Sequence, residues 1–188
     1  ETASTGPGHT TVATGTHPSI HGIIGNNWYD KISKKSVYCV EDSRYETIGS
    51  DGDGGKKSPN RLLTSTLSDE NRIATNFKGK TIGVAIKDRG AILSSGFTAN
   101  AAYWYEGGEE GKFITSSYYL DSMPDWVNTF NDSRIIDNYL IDWDTFYDIS
   151  TYTESGPDDN DYENPFKGEK SPVFPHKIKD IATNNKTK

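Results

Sequence analysis

Three short stretches carry side chains whose types and spacing suit chemistry on an anion. Thr5-Gly6-Pro7-Gly8-His9 sets a hydroxyl in front of His9–Thr14, a segment compatible with a helix. The first backbone N–H groups of such a helix point outward and make a place to hold a negative ligand. Gly6 and Gly8 allow close backbone approach, Pro7 gives up an N–H that helix geometry would leave unpaired, and Gly15 stands where the helix should stop. On local pattern alone the same residues read equally as a capped helix after a turn. The second stretch is Lys87-Asp88-Arg89: if Thr81–Arg89 is extended, Lys87 and Arg89 project to one side and Asp88 to the other. A compact ammonium beside a bidentate guanidinium suits a phosphoryl group with two non-bridging charges, whereas without further support a solvated charged turn is the simpler reading. The third is Asn26-Asn27, where either residue offers a side-chain amide or simply forms an Asx turn.

The elements that must position these groups belong to an α/β chain. Trp28–Ile32 and Ser36–Val40 predict a hairpin about Ser33-Lys34-Lys35. Gly49–Gly55 is too rich in glycine and aspartate for regular structure; its Asp-x-Asp spacing lacks the terminal glutamate of a calcium loop and reads as a surface loop. Pro59–Leu63 predicts a short helical segment, and Ser68 an N-cap for a helix over Asp69–Phe77 with Ile73, Ala74 and Phe77 on one face. Lys80–Lys87 is a β-branched run of the kind that forms a buried parallel strand, and a helix followed by such a run is half of a βαβ unit. Ala101–Glu106 and Lys112–Tyr119 read as strands closed by Gly107-Gly108-Glu109-Glu110-Gly111, and Pro124–Phe130 as a helix with proline in its first turn. Trp143, Phe146 and Tyr147 are expected to pack on the core, and Ser155–Lys170 to be loop.

Composition narrows the classes. A chain of 188 residues, 32% hydrophobic and 12% aromatic, can fold around a core with many turns. Its formal charge of −7 and the lack of a long basic run argue against a general nucleic-acid binder. The single cysteine, Cys39, excludes an intrachain disulfide and a zinc site built on paired cysteines, and its setting, Ser36–Val40, suits a buried inert thiol. No stretch approaches the roughly 20 apolar residues of a membrane span, and no signal peptide opens the sequence.

Thr5-Gly6-Pro7-Gly8-His9, then Thr14-Gly15-Thr16-His17-Pro18-Ser19-Ile20-His21-Gly22-Ile23, then Asn26-Asn27-Trp28-Tyr29-Asp30 occur in that order. Together they resemble the alkaline phosphatase superfamily, specifically its nucleotide pyrophosphatase/phosphodiesterase-like branch and the zinc-dependent phosphomonoesterases with a threonine nucleophile. The resemblance implies part of an α/β/α core with a mostly parallel sheet plus an inserted cap. A boundary is placed near Phe97, with 1–97 a partial catalytic core and 98–188 the cap and the return toward the core.

The activity implied is hydrolysis of small phosphate monoesters through a phosphothreonine intermediate at a two-zinc site. Thr5 would be nucleophile and zinc ligand, Asn26 would donate its amide N–H to a phosphoryl oxygen, and Lys87 with Arg89 would clamp the remaining charge. In this branch Lys-x-Arg-Gly marks monoesterases, and here it reads Lys87-Asp88-Arg89-Gly90. A free threonine hydroxyl is too weak an acid to ionise at neutral pH, so this chemistry calls for a directly bound metal. His9 and His17 fall at positions that support the fold, and none of His9, His17, His21 and His176 is expected as a ligand. The strand with a metal-binding aspartate that precedes the family's nucleophile, and the Asp/His clusters that follow, do not occur between Glu1 and Asn184-Asn185-Lys186-Thr187-Lys188. The chain is therefore expected to be an internal piece that needs the rest of its parent to complete the metal site and retains zinc weakly or not at all alone. A periplasmic or secreted parent is implied. The alternatives are a phosphodiesterase or nucleotide pyrophosphatase of the same superfamily, and an inactive fragment that only binds phosphate.

Overall fold

The computed structural model describes residues 4–108 and 111–184. Glu109 and Glu110 of the expected glycine-rich loop, and the two chain ends from which an internal piece was inferred, lie outside them. The chain forms two compact units, one comprising the residues up to Glu106 with Lys112–Thr129, the other Gly107–Gly111 with the residues from Phe130 onward.

The first unit opens with α1 (Thr5–Thr14), which starts at Thr5 rather than His9 because Ser4, in an extended conformation, takes the N-cap position. Pro7 fits the first turn, where its missing N–H costs no intrahelical bond. The helix stops at Gly15, as expected. A single turn, α2 (Pro18–His21), leads to the hairpin of β1 (Asn27–Asp30) and β2 (Lys35–Tyr38), antiparallel with Asn27 opposite Tyr38. A two-residue strand, β3 (Thr47–Ile48), was not foreseen. Pro59–Leu63 is a turn, closed by the Leu62 N–H donating to Pro59 O at 2.9 Å, and not a helical segment.

In α3 (Leu67–Ala74) the N-cap is Thr66, not Ser68: Thr66 and Asp69 form a reciprocal capping box. The helix falls short of Phe77 because Asn76 and Phe77 adopt positive φ of 49° and 61°.

The expected strand over Lys80–Lys87 is β4 (Ile82–Ala85), and it is not buried: Ile82 and Val84 are 54% and 62% exposed because β4 is an edge strand. The crossover helix follows it instead of preceding it. β4, α4 (Asp88–Ser95) and β5 (Ala101–Glu106) form the βαβ unit, with β4 and β5 parallel. Lys87 and Arg89 therefore do not alternate along a strand; Lys87 is the N-cap of α4 and Arg89 lies in its first turn.

β5 pairs antiparallel with β6 (Lys112–Ser116), and β6 with β3, giving a mixed sheet in the order β3-β6-β5-β4 within an α/β fold. This sheet runs on past Phe97, within the first of the two compact units. The core is Ile23, Val40, Ile92, Leu93 and Ile114, all fully buried, with Leu62, Ala102 and Trp104 beside them. Each such large aliphatic side chain contributes about 1.5–3 kcal/mol through burial. Gly83 lets α4 lie flush on β4, since a Cβ there would sit 2.0 Å from Ser95 Oγ and 2.6 Å from Ala91 O. That contact sets where the first turn of α4 ends up.

α5 (Asp125–Asp132), where a helix was expected, buries Val127 against Ala101 and Tyr103. In the second unit, Trp143, Phe166 and Phe174 pack around the buried His176 ring, and Trp143 and His176 exchange backbone hydrogen bonds of 2.9 and 2.8 Å. Phe146 and Tyr147, expected in the core, are 87% and 64% exposed, and Trp143 is half-exposed. A segment of turns and short 3-10 pieces has no second layer to press them against. α6 (Ile178–Asn184) closes the described chain. Among the described residues no helix is long and apolar enough to cross a membrane.

Candidate active site

Thr5 is the first residue of α1 and half-buried; among the described residues its hydroxyl has no hydrogen-bond partner. The backbone donors beside it are already used. The Gly6 N–H donates to Asn26 Oδ1 at 2.7 Å, Pro7 has none, and the Gly8 N–H donates to Ser4 O at 3.0 Å. The backbone anion site expected at this helix start is thus largely closed, and an anion in front of Thr5 would be held by side chains.

Of the two asparagines, Asn26 is the one whose side chain bonds to α1. A backbone N–H must face an acceptor, so the oxygen of the Asn26 amide points at α1 and its NH2 group is turned away, free to donate. Asn27 is exposed at the start of β1. The contact needs glycine: a Cβ on Gly6 would stand 3.0 Å from Asn26 Oδ1 and 3.2 Å from Gly25 O. Behind it lies Cys39, whose backbone N–H donates to Asn26 O at 2.9 Å. Burial, foremost, pushes the Cys39 thiol up to about 11, so it fills space as a neutral group, as the sequence led us to expect. His21 fastens the same segment to α1. The Ile23 N–H donates to its Nδ1 at 3.1 Å, which leaves the proton on Nε2 to donate to Thr11 Oγ1 at 3.1 Å. Desolvation holds its pKa below the usual histidine value.

α4 packs against α1 and brings the second group of residues. Lys87 is exposed, and its ammonium has no ion-pair partner among the described residues. Arg89 is mostly buried, its side chain 15% exposed. Its Nη1 donates to the Tyr38 hydroxyl at 2.8 Å, and that hydroxyl donates to Asp88 Oδ1 at 2.6 Å. Asp88 also accepts from the Arg89 backbone N–H at 2.7 Å, so it does not point away from the site. Arg89 Nε is buried without a hydrogen-bond partner. The Tyr38 ring is the last residue of β2, and Cys39 follows it, so one short segment touches both Asn26 and Arg89.

Thr5, Asn26 and Arg89 are thereby linked through a continuous set of contacts, and Lys87 lies two residues from Arg89 at the head of the same helix. Tyr38, Asp88 and the pairing role of Gly6 went unrecognised in the sequence, because their partners lie 20 to 51 positions away or, for Asp88, because a strand was assumed. Among the described residues no group of three or more His, Cys, Asp or Glu is arranged to hold a metal ion. Thr5 is the one metal ligand that the resemblance implies within them.

A family model described as type I phosphodiesterase/nucleotide pyrophosphatase matches residues 2–181. The chain belongs to this family. It is 51% identical over 179 residues to the alkaline phosphatase PhoV of Synechococcus elongatus, a match covering 95% of this chain and 32% of PhoV. It is 45% identical, with the same coverage, to a Myroides odoratus protein named a calcium-transporting ATPase. The crystal structure of the alkaline phosphatase PafA superposes with a TM-score of 0.91 at 41% identity, over 97% of this chain and 35% of PafA. A PafA variant with a threonine, an asparagine, a lysine and an arginine each substituted superposes equally well, with a TM-score of 0.91. The chain spans about a third of the length of the curated relatives it matches.

Proposed function

We propose that the complete protein containing this chain is an alkaline phosphatase that hydrolyses phosphate monoesters through a phosphothreonine intermediate. The observation that supports this reading is that Thr5, whose hydroxyl has no partner among the described residues, the Asn26 amide oriented by Gly6 and the Arg89 guanidinium held by Tyr38 are tied together by hydrogen bonds through the segment Tyr38-Cys39, at the heads of two helices packed together. The Thr5 oxygen, once deprotonated, bonds to phosphorus as the ester P–O bond breaks and the alcohol leaves. Water then attacks phosphorus, the Thr5–phosphorus link breaks, and phosphate departs with the hydroxyl restored. Asn26 Nδ2 and the Lys87 and Arg89 cations stabilise the non-bridging oxygens as charge builds on them. Two zinc ions in the complete enzyme would make the hydroxyl acidic enough to ionise, with their other ligands supplied from outside this chain.

The test is turnover of a nitrophenyl phosphate monoester by the full-length protein: Thr5→Ala is expected to abolish it, and retained turnover would remove the nucleophile. A second reading, a phosphodiesterase or nucleotide pyrophosphatase, is favoured by the description of the matching family. The ratio of monoester to diester turnover separates the two, and the clamp cations Lys87 and Arg89 support a monoester preference. The isolated chain is expected to bind zinc weakly or not at all, which a metal assay on the purified chain reads directly. The same reading gives residues 98–188 the role of a cap and the return toward the core, and the parent protein a periplasmic or secreted location.

A further inference from the structure

We infer that Tyr38 is a positioning residue for the phosphate clamp, acting through Arg89 without touching substrate; this rests on the monoesterase reading above. A tyrosine hydroxyl has one proton and two lone pairs. Here the proton goes to Asp88 Oδ1 at 2.6 Å, which turns a lone pair toward Arg89 Nη1 at 2.8 Å and fixes the polarity of the pair of bonds. Asp88 is itself anchored, because the Arg89 backbone N–H donates to the same Oδ1 at 2.7 Å.

The carboxylate stands 4.0 Å from Nη1, so the hydroxyl sits between the two charges. A direct carboxylate–guanidinium pair would take the two-pronged edge of the arginine and cancel its charge. With the hydroxyl interposed, only Nη1 is engaged; Nε is buried, so the donor left for a ligand is Nη2, which has no partner among the described residues. The ring adds a second constraint, since the guanidinium carbon lies 5.9 Å from its centroid. Tyr38 thus holds Arg89 still while leaving Nη2 to a dianion.

The experiment is a double-mutant cycle on the full-length protein, reading kcat/KM for a nitrophenyl phosphate monoester and for the matching diester in wild type, Tyr38→Phe, Arg89→Ala and the double variant. Tyr38→Phe keeps the ring and removes only the hydroxyl. It should lower monoester kcat/KM about tenfold and shift the monoester-to-diester ratio by the same factor. In the Arg89→Ala background it should change monoester turnover by less than about twofold. A Tyr38→Phe loss that recurs in the Arg89→Ala background, or that falls equally on both esters, marks a merely structural tyrosine and overturns the inference. Arg89→Ala with intact monoester turnover would instead remove the clamp reading, and with it the role given to Tyr38. Should Tyr38→Phe not fold, Asp88→Asn reads the same network, with a smaller loss that must likewise vanish when Arg89 is absent.

Discussion

α1 and α4 both begin without a side-chain cap, yet their first turns are made of opposite materials. The head of α1 carries no charge: threonine, glycine and proline, with its Gly6 donor given to the Asn26 side-chain oxygen Oδ1. The head of α4 is Lys87, Asp88 and Arg89, held by a tyrosine from a distant hairpin. One half of the candidate site is positioned by backbone geometry and the other by a side-chain network. In the proposed mechanism the first would present the attacking oxygen, which every ester needs, and the second charge, which matters most to a group with two negative oxygens. Substitutions in the two halves should therefore differ in kind as well as in size.

The largest effect belongs to the α1 half. Thr5→Ala should cost about 1,000-fold or more in turnover of both monoester and diester, because the bond-forming atom is gone. Next comes the α4 half: Lys87→Ala or Arg89→Ala should lower monoester kcat/KM about 100- to 1,000-fold while diester kcat/KM changes by less than about threefold. Equal losses on both esters would erase the distinction between the halves.

Gly6→Ala sharpens it from the other side. Its Cβ would press on Asn26 Oδ1 at 3.0 Å, so the amide must shift, and about a tenfold loss on both esters is expected with their ratio preserved. The smallest effect is a pH dependence. His21 has a folded pKa below its unfolded value, so its neutral form is matched to the fold above about pH 6.5. Below that the unfolded chain takes up the proton first and stability declines as pH falls toward the folded pKa. Calorimetry from pH 7 to about 5.5 should show a smaller decline for His21→Gln than for wild type.

What the sequence made legible was local. Thr5 before a glycine-proline turn, the stop at Gly15, the hairpin and the two aromatic strands were all readable because each signal lies within a few residues of its effect. α4 was not, since Ala91, Ile92 and Leu93 are all buried and leave no apolar stripe of helical period, while Gly90 and two serines weaken propensity. That omission made Lys87-Asp88-Arg89 look like a strand and sent Asp88 to the wrong side. The pairing of Tyr38 with Arg89 spans 51 positions and follows from the packing of α4 on the hairpin, which no local pattern encodes. In the second unit the aromatic residues were visible but not their exposure, because nothing local shows that Phe146 and Tyr147 lack a layer above them.

The central claim is that Thr5 becomes covalently bonded to phosphorus during turnover. Acid quench of the full-length protein reacting with an aryl phosphate monoester, followed by peptide mapping, tests it directly. Phosphate is expected on the peptide holding Thr5, and on no peptide in Thr5→Ala; phosphate on another residue, or unchanged labelling in Thr5→Ala, would contradict the account.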